Sequence, residues 1–220
     1  MCFSAEADIV AGVVVGAIGL DAVRHVTQRR EMLLASLPLV FATHSLIEAF
    51  VWWGLEDQVP HSVGRLAIWF YLGIAFVLLP IMVPAAVTVR EPAEVRRYMA
   101  IFVVLGCVVA VILAYALARG PVIAAIDSYN IDYTVNLSYG GFVVALYVLV
   151  TCGPLLLSRD RYINLFGLAS LVAVGVLIWI DQTALISLWC FWAALTSVVI
   201  TVHVRHRVGR GAKLIPTDDR

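Results

Sequence analysis

Charge is what this chain has least of. Only 14% of its 220 residues are Asp, Glu, Lys or Arg, against 62% hydrophobic, and its mean hydropathy is +0.96. A soluble domain carries roughly 25% charged residues. The polar side chains here are too few to cover a globule, so the outer surface must face lipid. Lysine occurs once, at Lys213 in the C-terminal tail. No intramembrane Schiff base to retinal can form without one, which excludes a rhodopsin-like pigment. Histidine is almost as scarce: His44 is the only one well inside an apolar run, so the paired axial ligands of a two-haem membrane cytochrome are missing. His203 and His206, at the boundary of the last run, do not match the ligand pattern of seven-span metal-dependent lipid hydrolases. The four cysteines, Cys2, Cys107, Cys152 and Cys190, show neither CxxC nor zinc-ribbon spacing. Three of them sit in apolar runs, the usual place of a small buried hydrophobe. A basic stripe with interleaved aromatics is absent, so nucleic acid is not an expected partner. The opening MCFSAEAD is acidic and lacks the basic stretch of a signal peptide, so the first run is expected to be retained. No lipobox-like segment precedes Cys2, which argues against a lipoprotein.

Apolar runs are what the chain has in excess. A helix needs about 20 mostly apolar residues to cross a bilayer. Seven segments qualify, at 7–25, 32–53, 64–89, 98–117, 138–157, 163–180 and 184–204. The expected fold is an all-α, polytopic transmembrane bundle over residues 1–206, followed by a basic cytoplasmic tail at 207–220. The third run carries Pro80 and Pro84, which predict a kink, because Pro80 has no N–H to offer the Phe76 carbonyl. Pro154 is expected to bend the fifth. One long link, 118–136, is half apolar and is expected to lie on the outer face as a short helix or a folded flap. The Asn136-Leu137-Ser138 sequon is read as chance.

Orientation follows from where the cations fall. With the N-terminus outside and seven spans threaded, the inner links hold Arg24, Arg29 and Arg30, then Arg90, Arg96 and Arg97, then Arg159 and Arg161. The tail adds Arg205, Arg207, Arg210, Lys213 and Arg220, leaving only Arg65 and Arg119 outside. That bias is the positive-inside signature and predicts a cytoplasmic C-terminus in a bacterial cytoplasmic membrane. Gly12 and Gly16 form a GxxxG pair in the first run, a motif that permits close helix approach. In the seventh, Thr183, Ser187, Cys190, Ala194, Ser197 and Thr201 make a small, weakly polar stripe, read first as a helix seam.

Ionisable side chains inside a span are costly and mark candidate sites. Asp21 is accounted for by a local pair with Arg24 and His25. His44 and Glu48 are the sharper pair. At i and i+4 they share a face of the second span, with Trp52 a turn further on. At 1.5 Å per residue, Glu48 lies roughly 7 Å and His44 roughly 13 Å below the outer end near Trp53. Tyr71, Trp189 and Cys190 are expected at comparable depth, and Cys2 at the mouth, since Ser4 reads as the cap of the first helix. All six tryptophans fall in the outer half, as belt residues or as walls of a ligand site.

Two readings of this layer stand open. In one, His44 and Glu48 only fasten the bundle. In the other, Glu48, His44, Trp52, Cys190, Cys2, Tyr71 and Trp189 line an outward-facing intramembrane pocket for a small ligand. His44, Glu48, Cys190 and Cys2 are then candidate ligands of a transition-metal ion, although one His-x-x-x-Glu pair is a sparse signature. An enzyme using Cys2 or the Glu48/His44 pair is the alternative, with a transporter or channel third. The expected partners are the bilayer, a small ligand or metal ion, and a second copy of the chain in a homo-oligomer.

Cys2 to Ala5, the His44, Glu48 and Trp52 face, and the stretch from Ser187 to Ala194 together carry a resemblance. The chain resembles uncharacterised bacterial multi-spanning proteins that open Met-Cys-Phe-Ser-Ala and carry a glutamate followed by tryptophan in the second span. The resemblance runs through most of the chain and supports the multi-span fold. It implies glutamine near the position of His44 in many relatives, which moves weight to Glu48, Cys2 and Cys190. It brings no activity with it. Removal of Met1 would expose the α-amine of Cys2 beside its thiol, an arrangement suited to nucleophilic catalysis or to metal chelation.

Overall fold

The computed structural model describes residues 4–127, 130–137 and 139–180, with only the backbone given for 177–180. The seventh run with its small-residue stripe, the basic tail, Cys2, Asp181, Trp189, Cys190, Trp192 and the side chain of Trp179 lie outside those residues. In order, the elements are α1 (Ala5–Arg24), α2 (Arg29–Ala35), α3 (Leu37–Leu55), α4 (His61–Gly73), a π-helical turn (Ile74–Leu78) and α5 (Leu79–Arg90). Then come α6 (Ala93–Arg119), β1 (Val122–Asp127), β2 (Asn130–Val135), α7 (Gly140–Leu157) and α8 (Arg161–Ile180).

Among the described residues, four helical stretches are long and apolar enough to cross a membrane: Arg29–Leu55, His61–Arg90, Ala93–Arg119 and Gly140–Leu157. They coincide with the second to fifth apolar runs. The sixth run forms α8. The first forms α1, whose ends carry Glu6, Asp8, Asp21 and Arg24. Ser4 caps α1 as expected, its hydroxyl accepting from the Ala7 N–H at 3.3 Å.

The packing of α1 departs from the GxxxG expectation. Ala5, Asp8, Gly12, Val15, Gly19 and Ala22 form its buried face, alternating by three and four residues. A Cβ on Gly12 would meet Leu46 Cγ at 2.7 Å, and one on Gly19 would meet Leu39 Cδ2 at 2.9 Å. At Gly16 the nearest atom is the Ala42 Cβ at 3.5 Å, an ordinary contact. The seam against α3 therefore runs through Gly12 and Gly19, two turns apart, with Gly16 beside it.

The third run is one helical path with a fault in the middle. Ahead of Pro80 the backbone widens into a π turn, in which the Leu79 N–H reaches the Ile74 carbonyl. Neighbouring helices engage carbonyls within this fault and just ahead of it. Tyr147 Oη donates to the Ala75 carbonyl at 2.8 Å, and His44 Nε2 bonds the Tyr71 carbonyl at 3.1 Å. α6 comes so close that a Cβ on Gly106 would collide with the Pro80 carbonyl oxygen. π turns are frequent at functional sites, and this one borders the cavity described below.

The all-α expectation needs one correction, in the 118–136 link. It is a β-hairpin, so of the two expected forms the short helix is excluded and the folded flap is the one it takes. β1 and β2 pair antiparallel from Val122 with Val135 to Asp127 with Asn130. The alternation NIDYTV buries Ile131 and Tyr133 and leaves their neighbours outside. A two-stranded hairpin is marginal alone. Here Ile131 and Tyr133 join the cluster that contains Trp52, Tyr71 and Leu117, so the hairpin is anchored over the ends of α3, α4 and α6.

Candidate functional site

The His44 layer is fully internal. His44 is 2% exposed and Glu48 0%, and Tyr71 and Trp52 are buried with them. Tyr71 is the centre of a three-ring stack. The His44 ring lies on it at 3.9 Å and 18°, and the Tyr133 ring lies on it at 4.8 Å and 19°. The stack links α3, α4 and β2, so the hairpin reaches down to the level of the buried histidine. A carbonyl can only accept, so His44 Nε2 carries the proton that is donated to the Tyr71 carbonyl. In the neutral ring, Nδ1 is then the nitrogen that bears the lone pair.

Beneath the hairpin lies a cavity of about 190 Å³. Rings line part of it: His44, Phe76, Tyr133 and Tyr147. Aliphatic side chains such as Leu79, Leu113 and Val148 make up most of the rest, and no Asp, Glu, Lys or Arg is among the described lining residues. Of the pocket residues expected from sequence, His44 lines this cavity. Glu48, Trp52 and Tyr71 do not, and they pack in the same layer behind it. Cys2, Trp189 and Cys190 fall outside the described residues. Among the described residues, no three His, Cys, Asp or Glu side chains come together as a metal group. Cys107 is exposed on α6 and Cys152 buried on α7.

A second polar cluster, which the sequence reasoning missed, sits at the other end of the bundle. Each of three links at this end contains an arginine followed directly by an acid: Arg30-Glu31, Arg90-Glu91 and Arg159-Asp160. All six residues line one cavity of about 230 Å³. The Arg90 guanidinium, its side chain only 8% exposed, lies 4.0 Å from Glu31 and 3.5 Å from Asp160. Glu91 accepts from Ser158 Oγ at 2.6 Å and from the Arg159 N–H at 3.2 Å. Asp160 also accepts from the Tyr162 N–H at 3.0 Å and so caps α8. Arg90 and Glu91 together clasp the start of α2 and the α7–α8 link. The repeated dipeptide was the available signal. It was read only as cation content, because the positive-inside count ignores acids.

A protein-family model described as a family of unknown function, DUF6629, matches residues 1–213. No curated protein and no solved structure matches the chain.

Proposed function

We propose that this chain, which belongs to the family of unknown function DUF6629, is a seven-span membrane protein that binds a small ligand inside the bilayer. In this reading the N-terminus is outside, the C-terminus lies in the cytoplasm, and the protein resides in a bacterial cytoplasmic membrane. The observation that supports ligand binding is the cavity of about 190 Å³ beneath the hairpin, with the His44 imidazole in an otherwise largely apolar wall. Pockets of this kind, apolar with a few placed polar groups, are the usual form of a small-molecule site. His44 supplies the polar contact, and Glu48, one turn along α3, sets the charge and hydrogen bonding behind it. Tyr71 and Tyr133 hold the histidine ring flat against the wall.

The test compares small molecules that remain bound to the purified wild type and to Val143→Trp, which fills the cavity from α7. Mass spectrometry is expected to detect a compound in the first that is depleted in the second. An identical set of compounds in both would refute the reading.

A further inference from the structure

At the far end of the bundle, the three Arg–acid pairs surround a cavity bounded by the ends of apolar helices. α2 begins at Arg29, α5 ends at Arg90, α6 begins at Ala93, α7 ends at Leu157 and α8 begins at Arg161. The cavity therefore lies at the depth where lipid headgroups meet a protein. Its charges are not equivalent. Arg90, Glu31, Asp160 and Glu91 are mostly buried and engage one another, Ser158 or backbone N–H groups. Arg30 and Arg159 are exposed at the rim, and their guanidinium groups have no hydrogen bond or ion pair among the described residues. Arginine pairs suit phosphate, because each planar fork offers two parallel donors.

Two further observations narrow the ligand. Met32 and Leu157, each two residues from one of these arginines, are 45% and 60% exposed, so exposed apolar surface lies at the same end of the bundle as the rim. The lining also holds three arginines and three carboxylates, with the Arg90 guanidinium beside Glu31 and Asp160 while Glu91 is held by Ser158 and the Arg159 N–H. A headgroup that brings its own ammonium adds no net charge there, whereas an anionic one adds a charge next to carboxylates.

We propose that this cavity binds a zwitterionic phospholipid headgroup of the phosphoethanolamine type. The phosphate sits between Arg30 and Arg159, the ammonium faces the carboxylates, and the acyl chains lie along Met32 and Leu157. Basic pockets between spans are a known form of headgroup site. This one is distinguished by its balanced charge.

The experiment is native mass spectrometry and thermal unfolding of the full chain in detergent, with four added probes. These are phosphatidylethanolamine, phosphatidylglycerol, diacylglycerol and free phosphoethanolamine. Phosphatidylethanolamine is expected to bind most tightly and to raise the melting temperature most. Arg30→Gln with Arg159→Gln should weaken it roughly tenfold or more through the lost charge-assisted bonds. Both side chains are exposed and their guanidinium groups engage none of the described residues, so the double variant should fold, and its unfolding without lipid gives the control. An equal effect of free phosphoethanolamine would overturn the lipid as the source while keeping the headgroup chemistry. Equal effects of phosphatidylglycerol or diacylglycerol, or lipid binding unchanged in the double variant, would overturn the proposal.

Discussion

At the scale of single residues, two buried charges make opposite predictions. Glu48 is wholly buried, where a carboxyl is costly unless its surroundings compensate it. Glu48→Gln keeps the shape and hydrogen-bonding capacity, so the fold should survive while ligand retention falls. Glu48→Leu should cost about 1–3 kcal/mol of stability, because the polar groups it faces are left unmatched. Unfolding and ligand content measured on both variants separate the two roles, and a Gln variant with wild-type ligand content would exclude Glu48 from binding. Arg90 is a structural charge. Replacing it with Met leaves Glu31 and Asp160 without their shared cation and should cost roughly 3–5 kcal/mol. Adding Glu31→Gln and Asp160→Asn should recover much of that loss. If the triple variant unfolds no later than Arg90→Met, the ion pairs are not what holds the clasp.

At the scale of elements, close backbone approaches decide which glycines matter. Gly106 on α6 faces the Pro80 carbonyl, which belongs to backbone and cannot rotate away. Gly106→Ala should therefore destabilise strongly, by about 1–3 kcal/mol or more for an overpacked site. Gly16→Ala meets only an ordinary contact. The better helix propensity of alanine should make it neutral or stabilising by up to about 1 kcal/mol. Gly19→Ala must displace Leu39, including its backbone nitrogen at 3.0 Å, and should fall between the two. Thermal unfolding of the three variants in one detergent gives the ranking. A result in which Gly16→Ala is the most damaging would restore GxxxG as the seam.

At the scale of the whole molecule, threading and solvent contact are the open predictions. A reporter fused after Arg210 should read as cytoplasmic and a tag inserted within 55–62 as external. An internal tag at 55–62 would invert the threading. Cys2 should react with membrane-impermeant thiol reagents added outside, whereas Cys107 and Cys152 should not. Cys107 is the informative control. It is exposed on the bundle surface but lies in the middle of a 27-residue apolar helix, where lipid should cover it and keep the reagent away. Labelling of Cys107 in intact membranes would mean that this face meets water.

By itself the sequence determined the apolar, mostly helical class of the molecule, the positions of the first six apolar runs and the one irregular link. Hydrophobic length, proline and charge are local properties, and a bilayer forces every long apolar run to satisfy its backbone as a helix. The facing of His44 and Glu48 was legible for the same reason, since helical spacing alone puts i and i+4 together. The tertiary structure alone decided which residues of different runs meet. His44 finds a carbonyl 27 residues away, Ser158 finds Glu91 across 67 and Tyr147 finds Ala75 across 72. No local period encodes such pairs. They are set by how helices with ridges and small residues settle against each other, and that settling turned a charged link into a clasp. It also turned a half-apolar link into a hairpin, because the strand alternation of Ile131 and Tyr133 becomes favourable only once Trp52, Tyr71 and Leu117 are there to bury it.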